Sequence, residues 1–196
     1  MQESGDQREA DDFELRPGEM VHLSHEPGSD AAALRFRDVL GRFATGLTVV
    51  SATGEDGPVG MTVQGFLSLS LEPPLVLVSM ARTSRAWPVI ERAGTFCVTI
   101  LAADQQWLAE LMATRGADKF RDLAWTPSPA TGSPLLPGGL GHVDCRVEAV
   151  HDGGDHLLVV GRVLDLSATG DGEALLYHRG RYGATVTRPG DGPRTG

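Results

Sequence analysis

Apolar and polar positions change rhythm repeatedly along the chain, and each change marks an element. Leu47 to Val50 is apolar and largely β-branched, continues through Ser51-Ala52-Thr53, and is separated by Gly54-Glu55-Asp56-Gly57-Pro58 from a second run, Val59 to Val63. Two such runs around a Gly- and Asp-containing turn predict a hairpin. The second run breaks at Gln64-Gly65, resumes as Phe66-Leu67-Ser68-Leu69-Ser70-Leu71, and meets Pro73-Pro74 before a third run that ends at Met80. Period-two alternation places Ser68 and Ser70 on one face of their strand, opposite Leu67, Leu69 and Leu71, so one face is lined with hydroxyls. The double proline lacks ladder donors and resets the chain between strands.

Helical spacing takes over in three places. After Ser29, a possible N-cap, Phe36, Val39, Leu40 and Phe43 recur at helical intervals, and Gly46 can end the segment. Thr83 to Gly94 suits a short helix capped by Thr83 or Ser84, with Pro88 tolerated only in its first turn. Ala103 to Gly116 reads as a helix with Trp107, Leu108, Leu111 and Met112 on one side. Thr95 to Leu101 is a buried strand, and Trp125 to Gly139 a proline-rich loop. From Leu140 onward the character is wholly β, with two long strands around Gly153-Gly154 and a shorter pair between Ala174 and Val186.

Strands thus come in neighbouring pairs with short helices inserted, an order that does not fit a parallel doubly wound sheet. It predicts a mainly β fold, an antiparallel barrel whose closure removes exposed edges. Residues 1–28 are acidic and polar and hold Pro17 and Pro27, so they are expected to form a mobile arm; one domain is expected over 29–188, with a disordered tail over 189–196.

Composition narrows the classes of function. At 41% hydrophobic and 22% charged residues the chain suits a soluble globular protein, and no apolar run approaches the ~20 residues of a membrane span. A formal net charge of -9 disfavours non-specific nucleic-acid binding. The N-terminus lacks the basic start and apolar stretch of a signal peptide, and Cys97 and Cys145 stand far apart, so a reducing cytoplasm is expected, with no membrane and no nucleic acid as partner.

The motif of a phosphate-binding P-loop, the dinucleotide fingerprint, H-E-x-x-H and the G-x-S-x-G elbow are all missing, which removes support for phosphoryl transfer and ester hydrolysis by those routes. Gly138-Gly139-Leu140-Gly141 follows prolines and precedes a strand, unlike a phosphate loop. His142 and Cys145 lie three apart in a strand and point to opposite faces, poor geometry for a shared metal and consistent with surface or edge residues. His156 starts a strand just past a turn, where a side chain reaches a cleft or stays solvated. Ser79, Thr83, Ser84 and Arg85 cluster at a helix start, where backbone N–H groups and a cation suit a phosphate and where simple capping is the competing reading.

Taken in order, "FATGLTVV", "GMT" followed by "SLSLEPPLVLVSM", "TSRAW", "TFCVTIL", "DKF", "GGDH" and "LLYHRGRY" closely resemble the flavin reductase family, over about residues 33 to 186. That family supplies the small partners of two-component flavin-dependent monooxygenases. The resemblance implies a split antiparallel β-barrel of FMN-binding, Greek-key type with a few short peripheral helices. It also implies roles for individual residues. Met61, Thr62, Val63 and Gln64 would lie by the isoalloxazine, and Ser68, Leu69 and Ser70 by ribityl or ring polar atoms. Ser79, Thr83, Ser84 and Arg85 match the phosphate end, Lys119 and Phe120 the "DKF" element, and His156 the nicotinamide-side histidine. The family usually has Asn-Ser at Gln64-Gly65 and Asn at Thr99, a further cofactor-binding position.

The expected activity is NAD(P)H:flavin oxidoreduction, with FMN or FAD accepting hydride from NADH or NADPH and reduced flavin passing to a partner monooxygenase. The alternatives are a flavin-binding or redox-sensing module with little turnover, and a split-barrel flavin oxidase of the pyridoxamine-phosphate type. A homodimer is expected because Phe36, Phe43, Trp87 and Trp107 offer more apolar surface than one small barrel needs.

Overall fold

The computed structural model describes residues 29–115 and 118–186. The arm expected over 1–28 and the tail over 189–196 lie outside the described residues. Helix α1 (Ser29–Leu40) opens the described chain, followed by β1 (Thr45–Gly46), β2 (Thr48–Gly54), β3 (Gly57–Val63), β4 (Phe66–Leu71) and β5 (Pro74–Ala81). Helix α2 (Trp87–Ala93), β6 (Thr95–Ile100) and α3 (Gln106–Ala113) come next, then β7 (Thr126–Pro127), β8 (Pro134–Leu135), β9 (Gly141–Gly153), β10 (His156–Ala168), β11 (Leu175–His178) and β12 (Arg181–Ala184).

The paired reading of the strands holds. A seven-stranded antiparallel sheet runs β3-β2-β6-β9-β10-β5-β4, and a three-stranded sheet runs β1-β11-β12. Its two edge strands, β3 and β4, are consecutive in the chain and separated only by Gln64-Gly65, so the sheet bends until both edges meet at one corner. There the Ser79 N–H donates to the Gly65 carbonyl at 2.7 Å.

Alternation along the strands separates two cores. Val50, Ala52, Met61, Val63, Val76, Val78, Met80, Phe96, Val98, Cys145, Leu157 and Val159 face inward, where Trp87 and Ile90 of α2 join them. Side chains one position along face the other way, and over β2 and β6 they meet α3 and β11 in a second cluster built on Leu47, Val49, Leu101, Leu108, Met112, Leu136 and Leu175. Leu47 links the two sheets: its N–H donates to Leu175 O at 3.2 Å and its carbonyl accepts from Leu101 N–H at 3.1 Å.

The outer face of β6 and β9 is covered by the proline-rich loop. Buried Asp144 accepts from the N–H groups of Ala130 and Thr131 at 3.0 Å each and from the Thr131 hydroxyl at 2.5 Å. The Ser51 hydroxyl donates to Pro134 O at 2.7 Å, and His142 Nε2 lies 2.9 Å from Leu136 O. His142 and Cys145 are therefore both buried, on opposite faces of β9, instead of lying at a surface or an edge. Burial pushes the Cys145 thiol up to about 12 and raises the Cys97 thiol as well, with the Asp144 carboxylate adding to both.

Several local expectations change. Helix α1 stops at Leu40, beyond which the N–H groups of Arg42 and Phe43 bond three residues back, to Val39 O at 3.2 Å and Leu40 O at 3.0 Å; Phe43 lies beyond the helix and Gly46 belongs to β1. Neither Thr83 nor Ser84 caps α2, whose first turn starts after Ala86 and carries Pro88. On α3 the buried stripe is Leu108, Ala109, Met112 and Ala113, while Trp107 is exposed. A bulge in β4 sets Ser68 opposite Val76 and Ser70 opposite Leu75, neighbours whose side chains point to opposite sides of β5. Residues directly opposite in a sheet share a face, so Ser68 and Ser70 do not form one hydroxyl face.

Candidate functional site

The corner where β3 breaks is the starting point. Gln64 and Gly65 are exposed, Gln64 O accepts from Phe66 N–H and Gly65 O from Ser79 N–H, yet among the described residues no backbone carbonyl accepts the N–H of Gln64 or Gly65. The Thr45 hydroxyl donates to Gln64 Oε1 at 3.5 Å, which ties the break to β1.

From this corner a surface continues along β5 and β10. Since Val78 and Met80 face the inner core, Ser79 and Ala81 face outward, and register sets Ser79 opposite Leu158 and Ala81 opposite His156. Ser79 and His156 are thus diagonal neighbours on one outer face, a relation of roughly 7–8 Å in a sheet. His156 Nδ1 lies 2.8 Å from Asp155 Oδ1, a contact that fixes the imidazole at the end of β10. The turn beneath is fastened by Arg82, which donates to Gly154 O at 2.8 Å and pairs with Asp152 at 2.9 Å. The Gly154 N–H, and after it the Arg82 guanidinium, lower the Asp152 carboxyl pKa. Thr83 and Arg85 follow Arg82 and are exposed.

Behind the break, α3 holds β3 in place. The Thr62 hydroxyl donates to Ala109 O at 2.6 Å, and Lys119 Nζ donates to Met112 O at 2.8 Å and Gly60 O at 3.2 Å. Phe120 is buried against Gly60, where a Cβ would stand 3.2 Å from its ring. In this structure Lys119 and Phe120 act as a clamp between α3 and β3.

The expected site residues divide accordingly. Ser79 and His156 share one outer face beside the exposed break at Gln64, Thr83 and Arg85 are exposed in the β5–α2 loop that follows β5, and Thr62 is on the outer side of β3. Met61 and Val63 point into the inner core, and Ser84 is buried with its hydroxyl donating to Met61 Sδ at 3.1 Å and accepting from Ala86 N–H at 3.2 Å. Thr99 is fully buried beneath Gly139, so covering by the proline-rich loop removes it from any ligand surface. Ser68 and Ser70 are separated by the bulge at Leu69. Thr45, Ala81 and Asp155 were not anticipated: cross-strand register brings Ala81 beside His156, and no local signal shows it, whereas Asp155 adjoins His156 in sequence.

This surface fits a flat ligand with hydrogen-bond acceptors along one edge. The unpaired N–H groups at the break are fixed donors, the exposed backbone permits close approach, and Arg85 brings a cation to the far end.

Comparison with known proteins gives the family. The Flavin reductase like domain matches residues 40–185. The chain is 50% identical over 148 residues to the flavin-dependent monooxygenase reductase subunit HsaB of Rhodococcus jostii, covering 76% of this chain and 75% of that protein. It is 45% identical over 167 residues to the FMN reductase (NADH) SmoA of Agrobacterium fabrum, covering 85% and 92%. Among solved structures, nitrilotriacetate monooxygenase component B from Mycobacterium thermoresistibile superposes with a TM-score of 0.77 at 42% identity, over 85% of this chain and 96% of that one. The NADH:FAD oxidoreductase SgcE6 of Streptomyces globisporus, solved with NAD and FAD fragments, gives 0.75 at 31% identity, over 87% and 100%.

Proposed function

The chain belongs to the flavin reductase family, and from that premise we propose that it is an NAD(P)H:flavin oxidoreductase supplying reduced flavin to a separate monooxygenase. The observation that carries this reading is the row formed by the open donors at Gln64-Gly65, Ser79 and His156 on one outer face. FMN or FAD is the flavin and NADH or NADPH the hydride donor. The chemistry supplied by the bound flavin is acceptance of hydride from the nicotinamide.

The chain's own groups do the positioning. The N–H groups of Gln64 and Gly65 donate to the acceptor edge of the ring, where negative charge gathers on reduction, and they are held in place without reorganisation because α3 and Lys119 brace β3. Arg85 and Thr83 hold the phosphate end. His156, its Nδ1 proton held on Asp155, orients the nicotinamide. No side-chain acid or base is required.

His156→Ala is expected to bind flavin normally and to reduce it about tenfold more slowly with NADH, about 1.4 kcal/mol of barrier. The loss should vary little with pH, because orientation and not proton transfer is at stake. Stopped-flow reduction at saturating and subsaturating NADH reads this; an unchanged rate would make His156 an ordinary turn residue.

The meeting of the β3 and β4 edges supports closure of the large sheet into a split barrel of Greek-key type. Two such subunits form the working unit in this reading, because Phe36, Val39, Leu40 and Phe43 stand exposed together at the N-terminal side of β1, with Trp107 exposed on α3. Trp87, by contrast, belongs to the inner core. Light scattering at micromolar concentration should give twice the chain mass, and a monomer mass would refute the pairing. Among the described residues no helix is long and apolar enough to cross a membrane. The buried, unpaired thiols of Cys97 and Cys145 accord with a cytoplasmic location.

A further inference from the structure

Gly65 and Ser79 occupy one another's space. A Cβ on Gly65 would stand 2.6 Å from Ser79 Cβ, closer than unbonded carbons come, so the Ser79 side chain fills the volume that a side chain at position 65 would take. The two backbones are locked together by the Ser79 N–H donating to Gly65 O at 2.7 Å. Ser79 faces outward, is partly exposed, and its hydroxyl makes no hydrogen bond among the described residues. It therefore stands at the break beside the two unpaired N–H groups of Gln64 and Gly65.

We propose that the Ser79 hydroxyl is a third donor at the Gln64-Gly65 break, directed to the acceptor edge of the flavin ring and not to its phosphate, and that Gly65 lacks a side chain so that Ser79 can reach that position. The proposal rests on the flavin-reductase reading above. It gives Ser79 a different place from Thr83 and Arg85: Ser79 is paired with Leu158 within β5, whereas they lie beyond the end of that strand. A serine hydroxyl can donate to a ring carbonyl as a backbone N–H does, and three donors along one edge discriminate ring orientation as well as adding affinity.

The test is titration of FMN and of riboflavin by flavin fluorescence, with thermal melts alongside. Ser79→Ala should weaken both ligands by the same factor, about fivefold, because both carry the ring. Its melting temperature should stay at the wild-type value, since the hydroxyl has no partner among the described residues. Gly65→Ser alone should lower both the melting temperature and the affinity, and the exchange Gly65→Ser with Ser79→Gly should recover both, because the clash is gone and a hydroxyl is again at the break. Weakened FMN with unchanged riboflavin would assign Ser79 to the phosphate and overturn the proposal. Unchanged affinity for both in Ser79→Ala, or failure of the exchange to recover what Gly65→Ser loses, would also overturn it. If the wild-type chain bound neither ligand, the flavin-reductase reading itself would fall.

Discussion

Asp144→Ala is expected to lower stability by about 3–4 kcal/mol, the largest effect of any single substitution considered for this fold. The carboxylate is 2% exposed and accepts three hydrogen bonds, from the backbone N–H groups of Ala130 and Thr131 and the hydroxyl of Thr131. Its removal strands the two backbone donors beneath the proline-rich loop, where water does not replace a carboxylate without the loop lifting, while the Thr131 hydroxyl keeps the Ser133 hydroxyl at 2.7 Å. Bonds to a charged acceptor contribute roughly 1.5–3 kcal/mol each, and three that share one group add less than their sum. For a chain of this size the melting temperature should drop by roughly 10 °C. The same loop covers Thr99 and His142, so amide exchange should accelerate at Ala130, Thr131 and in the outer bonds of β9. A melt within about 2 °C of the wild type would show that the loop is held by something other than Asp144.

Arg85→Ala is expected to weaken FMN by about 2 kcal/mol, roughly thirtyfold, and to leave riboflavin unaffected. Arg85 is exposed at the end of the β5–α2 loop, after Thr83 and away from the ring donors at Gln64-Gly65. Charge-assisted bonds between guanidinium and phosphate are among the stronger polar contacts, and riboflavin has no phosphate to lose. An equal loss for both ligands would mean that Arg85 supports the loop instead of the phosphate. Together with the ring-side effect expected at Ser79, the two variants divide the ligand into two ends.

Much of the fold was legible in the sequence because its signals are local. The β-branched runs around Gly54 to Pro58 and the glycines at 153 and 154 mark β2–β3 and β9–β10 within a few residues. Pairing partners and coverage are different in kind, since they depend on residues far apart in the chain. Alternation in β4 suggested one hydroxyl face; the bulge at Leu69 defeats it, and a bulge is set by pairing with β5. Ser84 resembles a helix cap or a phosphate ligand in sequence, yet its hydroxyl turns inward to Met61 Sδ, a contact across 23 residues. Thr99 sits on a strand read as buried, and the resemblance alone made it a cofactor position; Gly139 of the distant loop covers it. The close fit of Gly65 against Ser79 was invisible for the same reason, although the departure from Asn-Ser at Gln64-Gly65 singled out the position.

The central claim is turnover of flavin at the expense of reduced nicotinamide, and the most direct test is aerobic consumption of NADH, and separately NADPH, with and without added FMN or FAD. The account predicts little consumption by the protein alone and sustained consumption, many turnovers per chain, once free flavin is supplied. Tight binding of flavin without sustained consumption of either nicotinamide would contradict it and mark the chain as a flavin-binding module, and turnover of an amine substrate without nicotinamide would mark it as an oxidase.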